Sequence, residues 1–336
     1  MKSLATTPLS ILDLVTYPEG GSIPDAFRNS RALAQCAERW GYRRYWVAEH
    51  HNLEGIASAA TVVLMGYLAE GTKTIRIGSG GIMLPNHAPF IVAEQVGTLE
   101  SIYPKRIDLG LGRAPGTDPL TMRALRRHST GADFDANVEE LMSYFAPIQP
   151  GQRVKAIPGA GLDVPIWILG SSTYSAHLAA AIGRPYAFAS HFAPGDLMES
   201  LAIYRREFKP SPALAQPHVM VGVPAMAAED DERAEFLATS MYLRSLGIVR
   251  GQRAALLPPV ESMEGLWSEG ERLALAERMA LMVVGGPARI KAGLQEIIDL
   301  TQADELILVS DAYDASDRKR SFDLIAAAAG LPRTID

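Results

Sequence analysis

The chain has 336 residues, 48% of them hydrophobic and 21% charged, with a formal net charge of −6. Disordered and collagen-like classes are excluded by this composition, and no basic patch is available to exchange for the counterions of a nucleic acid. A small molecule is the expected partner.

The single cysteine, Cys36, falls in an amphipathic run and can form no internal disulfide, which predicts a structural, buried thiol in a reducing compartment. The N-terminal MKSLATTPLS has no apolar leader and no apolar run approaches ~18 residues, so a cytoplasmic protein away from the membrane is expected.

Read in order, the chain alternates. Residues 9–15, LSILDLV, form a short apolar run ended by the turn-rich TYPEGGS and predict a buried strand. Ser22 to Asp25, with Pro24 in the first turn, opens a helix whose Leu33, Ala37 and Trp40 recur at helical spacing until Gly41. The unit repeats as strand 44–48 and helix 58–70, closed by Gly71, then strand 75–83 and helix 89–102. Strand 106–111 follows, with helical segments at 119–127 and 135–145. After a Gly/Pro-rich stretch come strand 165–169, helix 175–182, strand 186–189, helix 197–208, strand 219–223 and helix 230–246. Strand 305–309 and a helix at 318–329 end the series. Residues 250–270 read as a loop and 271–282 as an additional helix; this excursion of about 250–282 is either a wall of the barrel mouth or surface decoration. Its Leu256, Leu257, Met263 and Trp267 give it an apolar character suited to lining a substrate site or to packing on a partner subunit.

Eight strand candidates alternating with helices predict parallel pairing through right-handed crossovers, closed into an α/β (β/α)8 TIM barrel as one domain over residues 1–336. An open doubly wound sheet is the alternative. Its dinucleotide fingerprint is missing, however: GLGRAP has Gly110 and Gly112, but Pro115 stands where a third glycine belongs.

Barrel chemistry sits at the carboxyl ends of strands, and the unusual residues of this chain fall there. The second strand runs into Glu49-His50-His51, the third into GGIMLPNHAP, the fourth into GLGRAPGTD, the fifth into LGSSTYS and the sixth into ASHFAP with His191. Glycines, Arg113 and Thr117 suit an anion such as a phosphate, although an arginine paired to a carboxylate in a Gly/Pro turn is the plainer reading. Ser171, Ser172 and Ser175 at a strand-to-helix turn can hold phosphate oxygens, or simply cap the helix. Ile82, Met83 and Leu84 offer an apolar wall for a flat ring, or ordinary core, and Asn86 and His87 can cap the next helix. His50 and His51 are adjacent, without the spacing of a zinc site, so no metal is expected; Glu49 is expected to orient an imidazole or an arginine such as Arg76. His128, His177 and His218 are read as background.

Four segments together, WVAEHHN, GGIMLPNHAPFIVAEQVGTLESIYPKRIDLGLGRAPG, PIWILGSS and VVGGPARIKAGLQEIIDLTQADELIL, make a pattern that resembles the bacterial-luciferase-like family of flavin-dependent monooxygenases, in its single-chain, non-luminescent oxidoreductase branch, over residues 9–324. The resemblance implies a (β/α)8 barrel, FMN as cofactor and a homodimer. It places His50 near the reacting edge of the flavin, with Glu49 as its catalytic neighbour and His51 beside the cofactor. It places Gly80, Gly81, Ile82 and Met83 behind the ring, where the family often has a cis peptide. Arg113, Gly170, Ser171, Ser172 and Ser175 match the residues that hold the flavin phosphate. The luciferase catalytic subunit carries a reactive cysteine near its flavin, whereas Cys36 lies in the first helix, so no thiol role is implied. The implied activity is oxygenation of a small, apolar organic substrate by reduced FMN and O2 through a C4a-peroxyflavin. Because no nicotinamide fingerprint is present, a separate flavin reductase is the expected donor of reduced FMN. A deazaflavin (F420)-dependent hydride transfer and a non-catalytic flavin-binding protein are the alternatives.

Overall fold

The computed structural model describes residues 2–125, 133–252 and 254–334. In chain order the elements are β1 (Leu9–Asp13), α1 (Ile23–Arg39), β2 (Arg44–Val47), α2 (Thr61–Glu70), β3 (Arg76–Ser79), β4 (Ile82–Met83), α3 (Pro89–Ile102), β5 (Ile107–Gly112), α4 (Pro119–Ala124), α5 (Phe134–Phe145) and β6 (Ile166–Gly170). There follow α6 (Thr173–Ala181), β7 (Tyr186–Phe188), α7 (Leu197–Glu207), β8 (Val219–Ala227), α8 (Asp231–Val249), α9 (Glu269–Arg278), β9 (Val283–Gly285), α10 (Pro287–Thr301), β10 (Glu305–Val309) and α11 (Ala315–Ala329). The strands pair in parallel in the order β10-β1-β2-β3-β5-β6-β7-β8, and β8 pairs back onto β10, with Glu305 beside Met220 and Val309 beside Pro224. Eight strands therefore close into the expected α/β barrel, with helices outside.

Period-two alternation sorts the strand residues onto two sides. Leu9, Ile11, Tyr45, Val47, Ile107, Leu109, Ile166, Ile168, Leu306 and Leu308 belong to the large buried cluster shared with the helices. Leu12, Trp46, Trp167, Ala187, Met220, Ile307 and Val309 form a separate cluster inside the barrel. At the lower end of the interior the side chains are ionic. Arg44 Nε and Nη2 donate to Glu305 at 2.7 and 3.0 Å, and its Nη1 donates to Asp108 at 2.6 Å. Arg76 holds the other oxygen of Asp108, and the guanidinium of Arg44 lies 4.8 Å from the Trp167 ring. Ser10 and the Trp46 Nε1–H supply further donors to these carboxylates. Burial alone would raise the Glu305 carboxyl, but the charge of Arg44 outweighs it and holds the group at about 2.

Several inward positions are glycine because a neighbour already fills the space. A β-carbon on Gly78 would lie 2.5 Å from Trp46 Nε1, and one on Gly110 would lie 2.2 Å from the Ser79 carbonyl oxygen. A large indole thus crosses the barrel floor while the upper interior stays open.

Four differences from the sequence expectations have local causes. The third strand is not continuous over 75–83: it breaks at Gly80-Gly81, whose peptide is cis, and resumes as β4, which pairs β5. The second helix starts at Thr61 rather than 58, because the Ser58 hydroxyl is spent on the Ala48 carbonyl. β9 and α10 have no counterpart among the expected elements; β8 runs past the barrel for three residues, Ala225 to Ala227, and β9 pairs with that overhang. Arg76 pairs with Asp108, not with Glu49. The end of the predicted helix 119–127, and His128, lie outside the described residues. Cys36 is buried in α1 as expected.

The ionic floor yields a stability prediction. Arg44→Met removes the cation and leaves Glu305 enclosed without its main partner and Asp108 with Arg76 alone, which should cost about 3–5 kcal/mol. Urea unfolding of the variant should show a correspondingly lower midpoint at unchanged slope.

Candidate active site

At the carboxyl ends of the strands lies a cavity of about 620 Å³ whose walls are mostly apolar. Leu12, Trp46, Leu169 and Ile307 rise into it from the barrel interior, and Leu257 and Met279 face it from the excursion. His50, Gly80, Gly81, Met83, Arg113, Gly170, Ser171, Ser172 and Ser175 all border this one space. The chain brings them together from the ends of β2, β3, β5 and β6.

Glu49, His51 and Ile82 are placed otherwise. Ile82 turns outward into the helix-side core. Glu49 and His51 stand behind the cavity wall, where Glu49, only 1% exposed, gathers four donor groups. His51 Nε2 lies 2.9 Å from its Oε1, and His87 Nε2 lies 2.9 and 3.0 Å from its two oxygens. The Met83 amide donates to Oε2 at 3.0 Å and the Asn86 Nδ2 to Oε1 at 3.2 Å. Asn86 and His87 therefore do not cap α3, whose N-cap residue Ala88 makes no side-chain bond. Burial alone would raise the Glu49 carboxyl, but hydrogen bonds from His51 and His87, the charge of His87 and the Met83 amide hold it at about 2. Its chemistry is that of a permanent anion that pins the β2 end to the β4 segment.

The same junction fixes His50. Its backbone amide donates to the Ser58 carbonyl and that of His51 to the Gly116 carbonyl, while the Thr117 hydroxyl donates to the His51 carbonyl at 2.9 Å. Thr117 is thus occupied by the backbone and by Asp118. Gly116, at φ +64°, has no room for a β-carbon, which would sit 2.7 Å from the Glu49 carbonyl oxygen. These contacts leave the His50 side chain as the one of the adjacent pair that reaches the cavity.

On the far side, β6 ends in the turn that starts α6. Ser172 is the N-cap residue, in extended conformation, yet its hydroxyl makes no cap bond. Among the described residues the hydroxyls of Ser171 and Ser172 make no hydrogen bond, whereas Ser175 donates to the Ser172 carbonyl and stiffens the turn. Gly170 lies so close that a β-carbon would be 2.0 Å from the Ser175 hydroxyl. Arg113 stands beside this turn with its guanidinium 3.8 Å from the Tyr174 ring centre. The amide end of α6, two hydroxyls and a guanidinium make a donor set suited to a phosphate.

Sequence reasoning missed part of the lining. Asp311, at the end of β10, accepts from Arg244 of α8 at 2.6 Å and from Thr16 at 3.2 Å, and both Asp311 and Arg244 border the cavity. Only the pairing of distant elements reveals it. His191 is enclosed except where it meets the cavity, and burial pushes its imidazole down to about 4. The excursion does form a wall, but of its four named apolar residues only Leu257 faces the cavity; Leu256, Met263 and Trp267 pack elsewhere. Among the described residues no cluster of three or more His, Cys, Asp or Glu side chains could hold a metal ion, and no helix is long and apolar enough to cross a membrane.

Comparison with known proteins agrees with this geometry. A family profile for luciferase-like monooxygenases matches residues 8–302. YvbT of Bacillus subtilis (strain 168) is 54% identical over 322 residues, covering 95% of this chain and 96% of that protein. The luciferase-like monooxygenase of Escherichia coli (strain K12) is 49% identical over 321 residues, covering 95% and 96%. Among solved structures, apo-MsnO8 superposes with a TM-score of 0.91 at 33% identity, covering 98% of this chain and all of that one. The oxygenating constituent of 3,6-diketocamphane monooxygenase from Pseudomonas putida, in complex with FMN, shares the fold at a TM-score of 0.72 and 16% identity, covering 96% and 97%.

Glu49 carries a pH prediction. Its folded-state pKa near 2 lies below the ordinary 4.5, so the anion's contribution is complete above pH 4.5 and is lost as pH falls toward 2. Glu49→Gln should cost about 3 kcal/mol at pH 7 and flatten that acid limb. Denaturant midpoints of both proteins at pH 7 and pH 3 measure it.

Proposed function

The chain belongs to the luciferase-like monooxygenase family, and from that premise we propose that it is an FMN-dependent monooxygenase, using reduced FMN and O2 to oxygenate a small, mainly apolar organic substrate. One observation carries the choice of a phosphorylated cofactor: at the start of α6 the hydroxyls of Ser171 and Ser172 have no hydrogen-bond partner among the described residues, and Arg113 stands beside them. Serines that merely capped the helix would be bonded to it. The FMN complex of a protein with this fold supports the same cofactor.

Bound in reduced form, FMN would supply the electrons that activate O2. The chain's own residues do the rest. Arg113, Ser171 and Ser172 would hold the phosphate, while Ser175 and Gly170 shape the turn around it. Gly80 and Gly81 give a stretch of wall without side chains on which a flat ring can rest, Met83 borders it, and Ile82 anchors that wall from the helix side. The apolar lining keeps water from the reacting atoms. His50 is the proton-handling group at the cavity. Glu49 and His51 position it from behind rather than touching the ligand.

The wider setting belongs to the same proposal. Reduced FMN comes from a separate reductase, and one domain carries both flavin and substrate. The protein works in the cytoplasm as a homodimer, for which the exposed Val63, Ile91 and Ile102 of α2 and α3 would supply an apolar face.

Titration with oxidised FMN, followed by calorimetry, should show one site per chain. Arg113→Ala should weaken it about 10–100-fold, the loss of a charge-assisted contact to phosphate. Tighter binding of the deazaflavin F420 than of FMN would overturn the cofactor assignment. With reduced FMN supplied, His50→Ala should slow substrate oxygenation about 100-fold or more while FMN affinity changes less than about threefold. An unchanged rate removes His50 from its role, and absence of any substrate-dependent O2 consumption in the parent protein leaves a flavin-binding protein instead of an enzyme.

A further inference from the structure

The β7 end places one more polar group at the cavity, and its ring nitrogens have unequal surroundings. His191 Nδ1 is fully enclosed and makes no hydrogen bond. It faces Gly222 of β8, where a β-carbon would lie only 2.4 Å away, so the glycine's own hydrogen points at it. An N–H placed there would meet a C–H instead of an acceptor; a lone pair is accommodated. The loop cannot swing away, because the Ser190 hydroxyl is bonded to the Gly222 carbonyl.

Several charged or titratable groups face this ring: Asp311 from the β10 end, His50 from the β2 end and Arg278 from α9. Burial dominates over the pull of Asp311, and the other two act in the same direction as burial, so the imidazole is neutral at pH 7. A neutral ring with a bare Nδ1 carries its hydrogen on Nε2. Nε2 is not enclosed in this way and has no hydrogen-bond partner among the described residues, while the residue borders the cavity. The chain therefore holds a fixed, uncharged N–H donor within electrostatic reach of His50.

We infer that His191 is a cofactor-contacting residue whose Nε2–H donates a hydrogen bond to an acceptor atom, a carbonyl oxygen or ring nitrogen, of the flavin ring bound in this cavity. The inference rests on the FMN reading above and adds to it a contact at the ring, from a different wall than that of Gly80 and Gly81. Being uncharged, the donor orients the ring without adding a further cation to a cavity already bordered by Arg113, Arg244 and Arg278. Gly222 acts through His191 as a positioning residue: it alone leaves room for Nδ1.

The test uses the full chain labelled with 15N-histidine, oxidised FMN as the probe, and calorimetry alongside long-range 1H–15N spectra. The signal lost in His191→Phe identifies the residue. It should show the Nε2–H neutral pattern down to about pH 5, and saturating FMN should shift its Nε2 resonance. His191→Phe should bind FMN about tenfold more weakly, with His191→Gln recovering part of the loss. Gly222→Ala, which keeps the imidazole but displaces it, should weaken binding similarly and carries the test should His191→Phe not fold. An Nδ1–H pattern, an Nε2 signal unmoved by FMN, or unchanged affinity in the folded variants overturns the inference while leaving the flavin reading intact. Failure of the parent chain to bind FMN overturns both.

Discussion

A single enclosed carboxylate sets the geometry of the barrel mouth. Glu49 joins the end of β2 to the Met83 amide of β4 and to the imidazoles of His51 and His87. An anion removed from water is tolerable only when most of its lone pairs are met, and here four donor groups meet them. Loss of any one would loosen its neighbours together, because they share the same two oxygens. The run of apolar residues into Glu49-His50-His51 is explained by this arrangement: one residue is the anchor, one is tied to it, and the middle one is left facing the cavity.

Beneath the mouth, the two halves of the barrel interior are built on opposite principles. The lower half is filled by side chains that cannot be spared, Arg44 clasped by Glu305 and Asp108 and covered by the rings of Trp46 and Trp167. In the upper half, Gly80, Gly81 and Gly112 border the cavity without side chains, and each is close to backbone or side chains that would refuse a methyl group. The hollow is thus a consequence of the sequence at particular inward positions, and its floor is rigid because breaking it would strand buried charges.

Much of this is legible in the amino-acid order alone. Strand after strand declares itself by apolar runs bounded by turn residues, and α3 falls at residues 89–102, where Pro89 opens it. The glycine-rich and serine-rich strand ends point to one rim, where they do meet. The remainder depends on distance in space. Three-residue β9 is too short to announce itself, and it exists only because β8 overruns the barrel. The partners of Glu49 on the β4 side lie 34 to 38 residues away, and Arg76, the cation suggested for it, has its carboxylate at the floor, on the neighbouring β5. Asp311 with Arg244, and the orphaned nitrogen of His191, become visible only when β7, α8 and β10 are brought side by side.

The excursion after α8 shares a small hydrophobic centre with the end of that helix. Leu246, Met263 and Leu275 pack together with Trp267 at their edge, apart from the clusters that hold the barrel. Of the residues that face the cavity from this segment, Met279 packs against the cluster of Met226, Val284 and Ala312, which is distinct from the cluster over the barrel floor. Side chains on that wall can be exchanged during evolution at little expense to the barrel, whereas the floor admits almost no change. A lineage built on this plan can vary its cavity wall while inheriting the barrel floor intact.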